Sequence, residues 1–330
     1  MHLDIVDKPG GRKIHKIVTP YLGGLAIYAG FVAAVMLAVG SNPQLFQQTG
    51  SILAGATVLL FLGLWDDHSG MEPKVKLAGQ FVAALLAILA GIQLRVIGVP
   101  AADLLLSVLW VVGLSNAVNL LDNMDGLSSG LVAIASAFLF GLAAAGGQFL
   151  VASMAIALAG ACIGFLRYNF IGPASIFMGD AGSLFLGYML AVLTMKLRLP
   201  HSDHVNFLIL MLVLALPILD TTLVTIHRTA NGRPVYVGGA DHCSHRLVAL
   251  GLSRKRAVLA LYLLSIGYGL LAVTVHVASS QLAWLAGGVA AVGTLLVFVK
   301  LGSAAVYNRP APLSSGKLPA ANPERSSELP

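Results

Sequence analysis

The stretch NAVNLLDNMDGLSSG, residues 116–130, holds three asparagines and two aspartates in a chain that is 57% hydrophobic and 10% charged. Asn116, Asn119 and Asn123 recur at three- and four-residue intervals, which places them near one face of a helix. Asp122 joins that face, Asp125 follows at its end, and Gly126 is expected to break the helix. A lone amide in an apolar helix is an ordinary packing contact. Five polar groups in one segment are costly unless they meet polar partners or a wet cavity.

Three further stretches carry related chemistry. In GLWDDHSGMEPKVKLAGQ, residues 63–80, Asp66 and Asp67 are adjacent carboxylates, which repel unless a cation or a proton lies between them. Lys76 follows, placed to snorkel or to bind phosphate. In RYNFIGPASIFMGDAGSLFLG, residues 167–187, Asp180 sits among glycines at what reads as a helix N-terminus, with Asp180 as its cap. Phe177 before it suits an interface anchor or a stacking partner for a base. In HRTANGRPVYVGGADHCSHRLVALGLSRKR, residues 227–256, His242 and His245 are three apart and Arg246 follows. That spacing allows a zinc half-site, but no second pair of soft ligands stands out. A cationic cluster facing phosphate fits better.

The elements that must position these groups are membrane helices. Mean hydropathy is +0.86. Apolar runs near the roughly 17–25 residues that cross a bilayer recur along the chain: about 21–40, 51–65, 77–97, 103–120, 127–145, 149–167, 181–197, 205–226, 257–278 and 282–300. The 51–65 run is short. The fold class is therefore all-α, a polytopic helical bundle of about ten transmembrane helices. Residues 1–302 read as one membrane domain, and 303–330 as a disordered Pro/Ser-rich tail. The opening MHLDIVDKPGGRKIHK lacks the apolar core of a cleavable signal, so the first span is expected to target the chain. Cys162 within a span and Cys243 in a loop do not suggest a disulfide.

Ten crossings put both termini on one side, together with 17 of the 20 basic residues. Arg95, Lys196 and Arg198 fall on the other. Excess positive charge in short loops marks the cytoplasmic face. The net charge of +6 is then mostly topology plus attraction to anionic lipid and substrate, and no nucleic acid is needed. Asp66, Asp67, Glu72, Asp122, Asp125, Asp180, Asp220 and Asp241 share the basic side, which orientation does not demand. Mg²⁺ is typically held by one or two carboxylates plus substrate phosphates. One membrane face thus gathers the parts of a phosphoryl-transfer site with an acceptor in the bilayer.

The order VDKPGGRKIHKIVTPYLGGLAIY, DD…PKVKL, NAVNLLDNMDGL, NF…IFMGDAGSLFLG and a histidine loop before RL…LGLS resembles the polyprenyl-phosphate N-acetylhexosamine-1-phosphate transferase family (MraY/WecA type) over roughly residues 4–300. The resemblance implies Mg²⁺- or Mn²⁺-dependent transfer of a sugar-1-phosphate from a UDP-N-acetylhexosamine to polyprenyl (undecaprenyl) phosphate, releasing UMP. It implies an active site on the cytoplasmic face of the inner (plasma) membrane, and a homodimer is compatible with it. On matching positions, Asp180 with Asp122 would hold metal. Asp66 and Asp67 would handle the lipid phosphate, with Asp66 as the candidate base. Lys76 would hold phosphate. Asn119, Asp122 and Asp125 would contact the nucleotide sugar, Asn169 and Phe177 the uridine. His242, His245 and Arg246 would contact the diphosphate or sugar. The family usually has another span before the VDKP block, whereas the sequence here begins almost at that block. Its histidine loop commonly reads H-x-H-H-R. Here the loop is HCSHR, with Ser244 at the middle histidine, closer to the N-acetylglucosamine branch than to the muramyl-pentapeptide branch.

A transporter of nucleotide sugars or other anions is the rival from another class. It would place polar groups at the midplane and on the far side, yet the spans after 127, 149 and 257 carry no acids. The acid-rich pattern of the CDP-alcohol phosphotransferases is absent.

Overall fold

Each of the ten apolar runs is helical over most of its length in a computed structural model that describes residues 6–7 and 19–307. In chain order the helices are α1 (Gly23–Val39), α2 (Pro43–Ser69), α3 (Pro73–Leu89), α4 (Pro100–Leu121), α5 (Leu127–Ala145), α6 (Phe149–Asn169), α7 (Gly179–Lys196), α8 (Asp203–Val213), α9 (Ala215–Ala230), α10 (Cys243–Ala249), α11 (Arg254–Val277) and α12 (Ser280–Gly302). The described strands, Val6–Asp7 and Thr19–Pro20, form one short antiparallel pairing. Six helices, α2, α4, α5, α6, α11 and the greater part of α12, are long and apolar enough to cross a membrane. The bent pair α8–α9 makes a seventh if counted as one span, and α1 is a shorter apolar helix. The chain is an all-α, multi-pass membrane protein. The basic opening block, apart from Val6 and Asp7, and residues 308–330 of the expected tail lie outside the described residues.

Helix boundaries depart from the apolar runs where side chains end or extend the backbone. The short 51–65 run belongs to a 27-residue helix. Pro43 starts α2, and the Asn42 carboxamide caps it by accepting from the Gln44 and Leu45 nitrogens. The run read as 77–97 stops being helical at Leu89. Its remainder is a loop whose Val96, Ile97 and Gly98 nitrogens all donate to the Asp103 carboxylate. The run read as 205–226 is two helices bent by 77°. Pro217, in the first turn of α9, has no N–H to return across the break to Val213.

The core is built around α7. Sixteen of its 18 residues are buried, the pattern of a helix that is apolar all round and enclosed by neighbours. It packs on α1, α2, α4, α5 and α6. Its few polar side chains are satisfied: Tyr188 donates to the Ile52 carbonyl, and Thr194 accepts from the Trp110 indole. Small residues let the backbones close up. A Cβ on Gly63 would collide with the backbone of Asp180 and Ala181, and one on Gly24 with that of Gly182. Gly63→Val therefore forces α2 off the N-terminal end of α7. The expected result is loss of folded protein, or a thermal midpoint lowered by at least the ~1–3 kcal/mol typical of overpacking. Size-exclusion profile and melting of the purified variant check it.

Candidate active site

The N-terminal end of α7 organises the site, and the residue that holds it is Asp67. Both Asp67 carboxylate oxygens accept backbone N–H bonds, from Asp180 at 2.8 Å and Ala181 at 3.1 Å. An anion belongs there, where unpaired amides and the helix dipole converge. Gly179 makes room for it. Its φ is +72°, and a Cβ at this position would strike the Asp67 carboxylate. Asp180 is thus the first-turn acid of α7 and not its cap, as the sequence alone suggested. With its backbone served by Asp67, its own carboxylate turns outward.

That carboxylate meets three other elements. Asp180 Oδ2 lies 2.5 Å from Lys76 Nζ, on the first turn of α3. The same ammonium is 2.9 Å from Asp66 Oδ2, at the end of α2, and donates to Asn119 Oδ1 on α4 at 3.3 Å. Asn119 Nδ2 completes the ring by donating to Asp180 Oδ1 at 2.7 Å and to Ser183 Oγ at 2.8 Å. The adjacent carboxylates of the DD pair are therefore separated in use. Asp66 faces a cation, while Asp67 faces a helix terminus. Four residues from α2, α3, α4 and α7 share one knot, in which two carboxylates face a single ammonium.

The polar segment after α4 is split in the same way. Asn116 takes the packing role, exchanging hydrogen bonds with Gln80 of α3 at 2.5 and 3.2 Å. Asn119 goes to the knot. The helix ends at Leu121 with Asp122 as its C-cap, earlier than the expected break at Gly126. Asp122 and Asp125 then line an exposed turn. Crowding by the surrounding protein, with the negative charges of Asp180, Asp67 and Asp125, raises the Asp122 carboxyl above the usual carboxylate range, although its side chain reaches the surface. Asn123 accepts a 2.6 Å bond from Ser244 of α10 and so ties the turn to the histidine loop.

Asn169 does not present its amide to the cleft. It is buried, accepts from the Gly126 nitrogen at 2.6 Å and donates to the Ile176 carbonyl at 3.0 Å. It pins the 122–126 turn to the loop before α7. Phe177 is half-buried, with its ring 6.0 Å from that of Tyr21. Its backbone bonds to Pro20 and Gly23 fix the entry to α1.

The histidine loop corrects a second expectation. His242 is buried, and its Nδ1 lies 2.7 Å from Asp220 Oδ2. Asp220 also accepts from the Cys243 nitrogen at 2.6 Å. Burial and the neighbouring His242 push His245 down to about 4, so it is neutral near pH 7. Arg246 is fully buried, with its guanidinium donating to the Asp241, Leu301 and Gly302 carbonyls. The HCSHR block is therefore not a cationic cluster open to phosphate, because Arg246 is buried against backbone oxygens. Asp220, Asn123, Ser183 and Ser244 were not singled out as site residues. Asp220 carried a signal, a carboxylate inside an apolar run, which is a functional candidate by default. Cys162 and Cys243 are free and buried.

Among the described residues no three His, Cys, Asp or Glu side chains close on one point. A magnesium ion does not need that, since substrate phosphates and water complete its shell. The donors fit a hard cation. Asp66, Asp180 and the Asn119 amide oxygen already surround one positive charge, that of Lys76. Asp122 lies near enough to Asp180 and Asp67 for their negative charges to add to the desolvation that raises its carboxyl.

Residues 49–198 match the model of glycosyl transferase family 4. Over 289 residues the chain is 36% identical to the probable undecaprenyl-phosphate N-acetylglucosaminyl 1-phosphate transferase of Bacillus subtilis (strain 168), an alignment covering 85% of this chain and 79% of that protein. It is 35% identical over 297 residues to the decaprenyl-phosphate N-acetylglucosaminephosphotransferase of Mycobacterium tuberculosis (strain ATCC 25618 / H37Rv), covering 79% and 73%. The match to the phospho-N-acetylmuramoyl-pentapeptide-transferase of Heliobacterium modesticaldum (strain ATCC 51547 / Ice1) is 35% over 211 residues, covering 57% and 64%. With the DD…PKVKL, NAVNLLDNMDGL and GDAGS blocks assembled around the end of one buried helix, the chain belongs to the polyprenyl-phosphate N-acetylhexosamine-1-phosphate transferase family, glycosyl transferase family 4, on its N-acetylglucosamine-1-phosphate transferase branch.

Proposed function

We propose that the enzyme transfers N-acetylglucosamine-1-phosphate from UDP-N-acetylglucosamine to a polyprenyl phosphate, undecaprenyl phosphate being the acceptor of choice. An oxygen of the lipid phosphate attacks the β-phosphorus, which carries the sugar. The bond from that phosphorus to the bridging oxygen breaks, UMP leaves with the electron pair, and a polyprenyl-diphosphate sugar remains. The observation that carries this reading is the Lys76 knot, in which Asp66, Asn119 and Asp180 gather on one cation. The names of the relatives support the polyprenyl-phosphate acceptor and the N-acetylglucosamine phosphate group, and the motif resemblance supports the UDP carrier.

Asp180, with Asp122, would hold Mg²⁺ or Mn²⁺, which when bound neutralises charge on the diphosphate. Lys76 exchanges its carboxylate partners for a phosphate oxygen of the donor. Asp66, released from Lys76, accepts a proton from the lipid phosphate. Asp67 stays on the α7 amides and keeps Asp180 aimed. Asn119 and Asp125 contact the nucleotide sugar, and Phe177 offers a face to the uracil. His245, neutral, is suited to accepting or donating a hydrogen bond to the sugar, while His242 and Asp220 set its backbone.

The proposed topology has ten crossings, with both termini and the active site on the cytoplasmic face of the inner membrane. Its support is the basic residues on that side. The test is UMP release by detergent-solubilised protein given Mg²⁺, undecaprenyl phosphate and one UDP-sugar at a time. UMP should appear only when lipid phosphate and UDP-N-acetylglucosamine are both present. Its absence with every sugar would overturn the assignment, since a carrier releases no UMP.

A further inference from the structure

Beyond α12 the chain turns back onto the histidine loop. The Tyr307 hydroxyl donates to Asp241 Oδ2 at 2.8 Å. Its ring lies against two guanidinium groups, with Arg233 4.6 Å and Arg246 5.6 Å from the centroid. Arg246 Nη1 donates to the Leu301 and Gly302 carbonyls at 3.2 and 3.4 Å, and its Nε to the Asp241 carbonyl at 2.7 Å. Asp241 in turn holds Arg228 in a bidentate pair, at 2.8 and 2.6 Å. Burial alone would raise the Asp241 carboxyl, but the bonds from Arg228 and Tyr307 hold it at about 2. Two arginines and one aspartate are thus buried against the last residues of α12, with Tyr307 beyond it closing over them.

Desolvating such charges gives little net stability, and fixing one geometry is the better-attested return. The geometry at stake is that of α10. Its far side is fastened to the site through His242 on Asp220 and Ser244 on Asn123. Among the described residues its near side is fastened by the groups just named and by packing on α11 and α12. No step of the transfer uses residues 301–307.

We propose that residues 301–307 form a strap, with Tyr307 and Arg246 as positioning residues, that holds α10 against the Asn119–Gly126 turn and so sets donor affinity. The strap deepens the reading given above and rests on it for the donor. Its mechanical half stands on its own: without Tyr307, the near side of α10 keeps the Arg246 bonds and the packing on α11 and α12 but loses the clasp on Asp241.

Hydrogen exchange on the full-length protein reads that half, and steady-state kinetics read the other. In Tyr307→Ala the amides of 243–249 should exchange about tenfold faster or more, with α5 and α7 unchanged. KM for the UDP-sugar should rise about five- to tenfold, with kcat within about twofold and the acceptor KM unmoved. Tyr307→Phe keeps the ring and loses the bond to Asp241, so it should recover most of both effects. Unchanged protection of α10 in a folded Tyr307→Ala protein would overturn the strap. Faster exchange with an unchanged donor KM would overturn its link to the donor. Should the alanine variant fail to fold, Tyr307→Phe and Arg233→Ala carry the same two readouts, each expected to show a smaller shift in the same direction. Wild-type protein that makes no UMP with any sugar would sink the donor reading, leaving the exchange result to decide the strap.

Discussion

Asp180→Asn protein is expected to fold normally and to release UMP on the order of a hundred- to a thousandfold more slowly than wild type. The carboxylate of Asp180 is not what caps α7, because its backbone nitrogen and that of Ala181 are served by Asp67. The substitution therefore leaves the helix terminus intact. An asparagine can still accept from Asn119, but it loses the negative charge that faces Lys76 at 2.5 Å and that would hold the metal. The loss should fall on kcat and persist at saturating donor, as for a group needed in the transition state. A variant with wild-type kcat, unaltered melting and normal donor KM would remove Asp180 from the mechanism. Asp67→Ala gives the contrast. It should cost activity together with stability, because it strips the cap from the most buried helix in the fold.

Lys76→Met should show the second large effect, and in two separable ways. Removing the ammonium leaves Asp66 and Asp180 facing each other without their shared cation. Breaking a fully buried pair costs ~3–5 kcal/mol, and the exposure of Asp180, at 34%, reduces that to ~1–2 kcal/mol here. Turnover should fall on the order of a hundredfold, since the diphosphate loses a preorganised positive charge. The melting temperature supplies the independent reading. In chelator the variant should melt below wild type, and added Mg²⁺ should raise its midpoint more than it raises that of wild type, because the lysine no longer competes for the carboxylates. Equal Mg²⁺ responses in the two proteins would show that the ion binds elsewhere.

The sequence by itself determined the class of molecule and the cast of its site. Apolar runs near the length of a bilayer crossing leave a backbone no way to satisfy its own hydrogen bonds except as helices, so each of the ten runs is helical over most of its length. Carboxylates, amides and a lysine clustered on the basic side announced phosphate and hard-cation chemistry, because these residue types are too costly at a membrane boundary without a ligand or a partner. Only the tertiary structure assigned the parts. Asp66 and Asp67 are neighbours of one type, and composition cannot say that one meets Lys76 while the other meets the amides of a helix 113 residues further on. Asn116, Asn119 and Asn123 share a spacing, yet the first packs against Gln80, the second joins the knot and the third reaches α10. Arg246 looked like a phosphate ligand because arginine usually is one at such a place, and it is sealed in by carbonyls from the end of α12. The bend at Leu214 and the loop within the 77–97 run were likewise invisible to hydropathy, which counts apolar atoms and not the N–H of Pro217 or the reach of Asp103. Residue chemistry fixes which interactions a side chain can make. Which one it makes depends on what the fold brings within 3 Å, and that is set by contacts between segments a hundred residues apart.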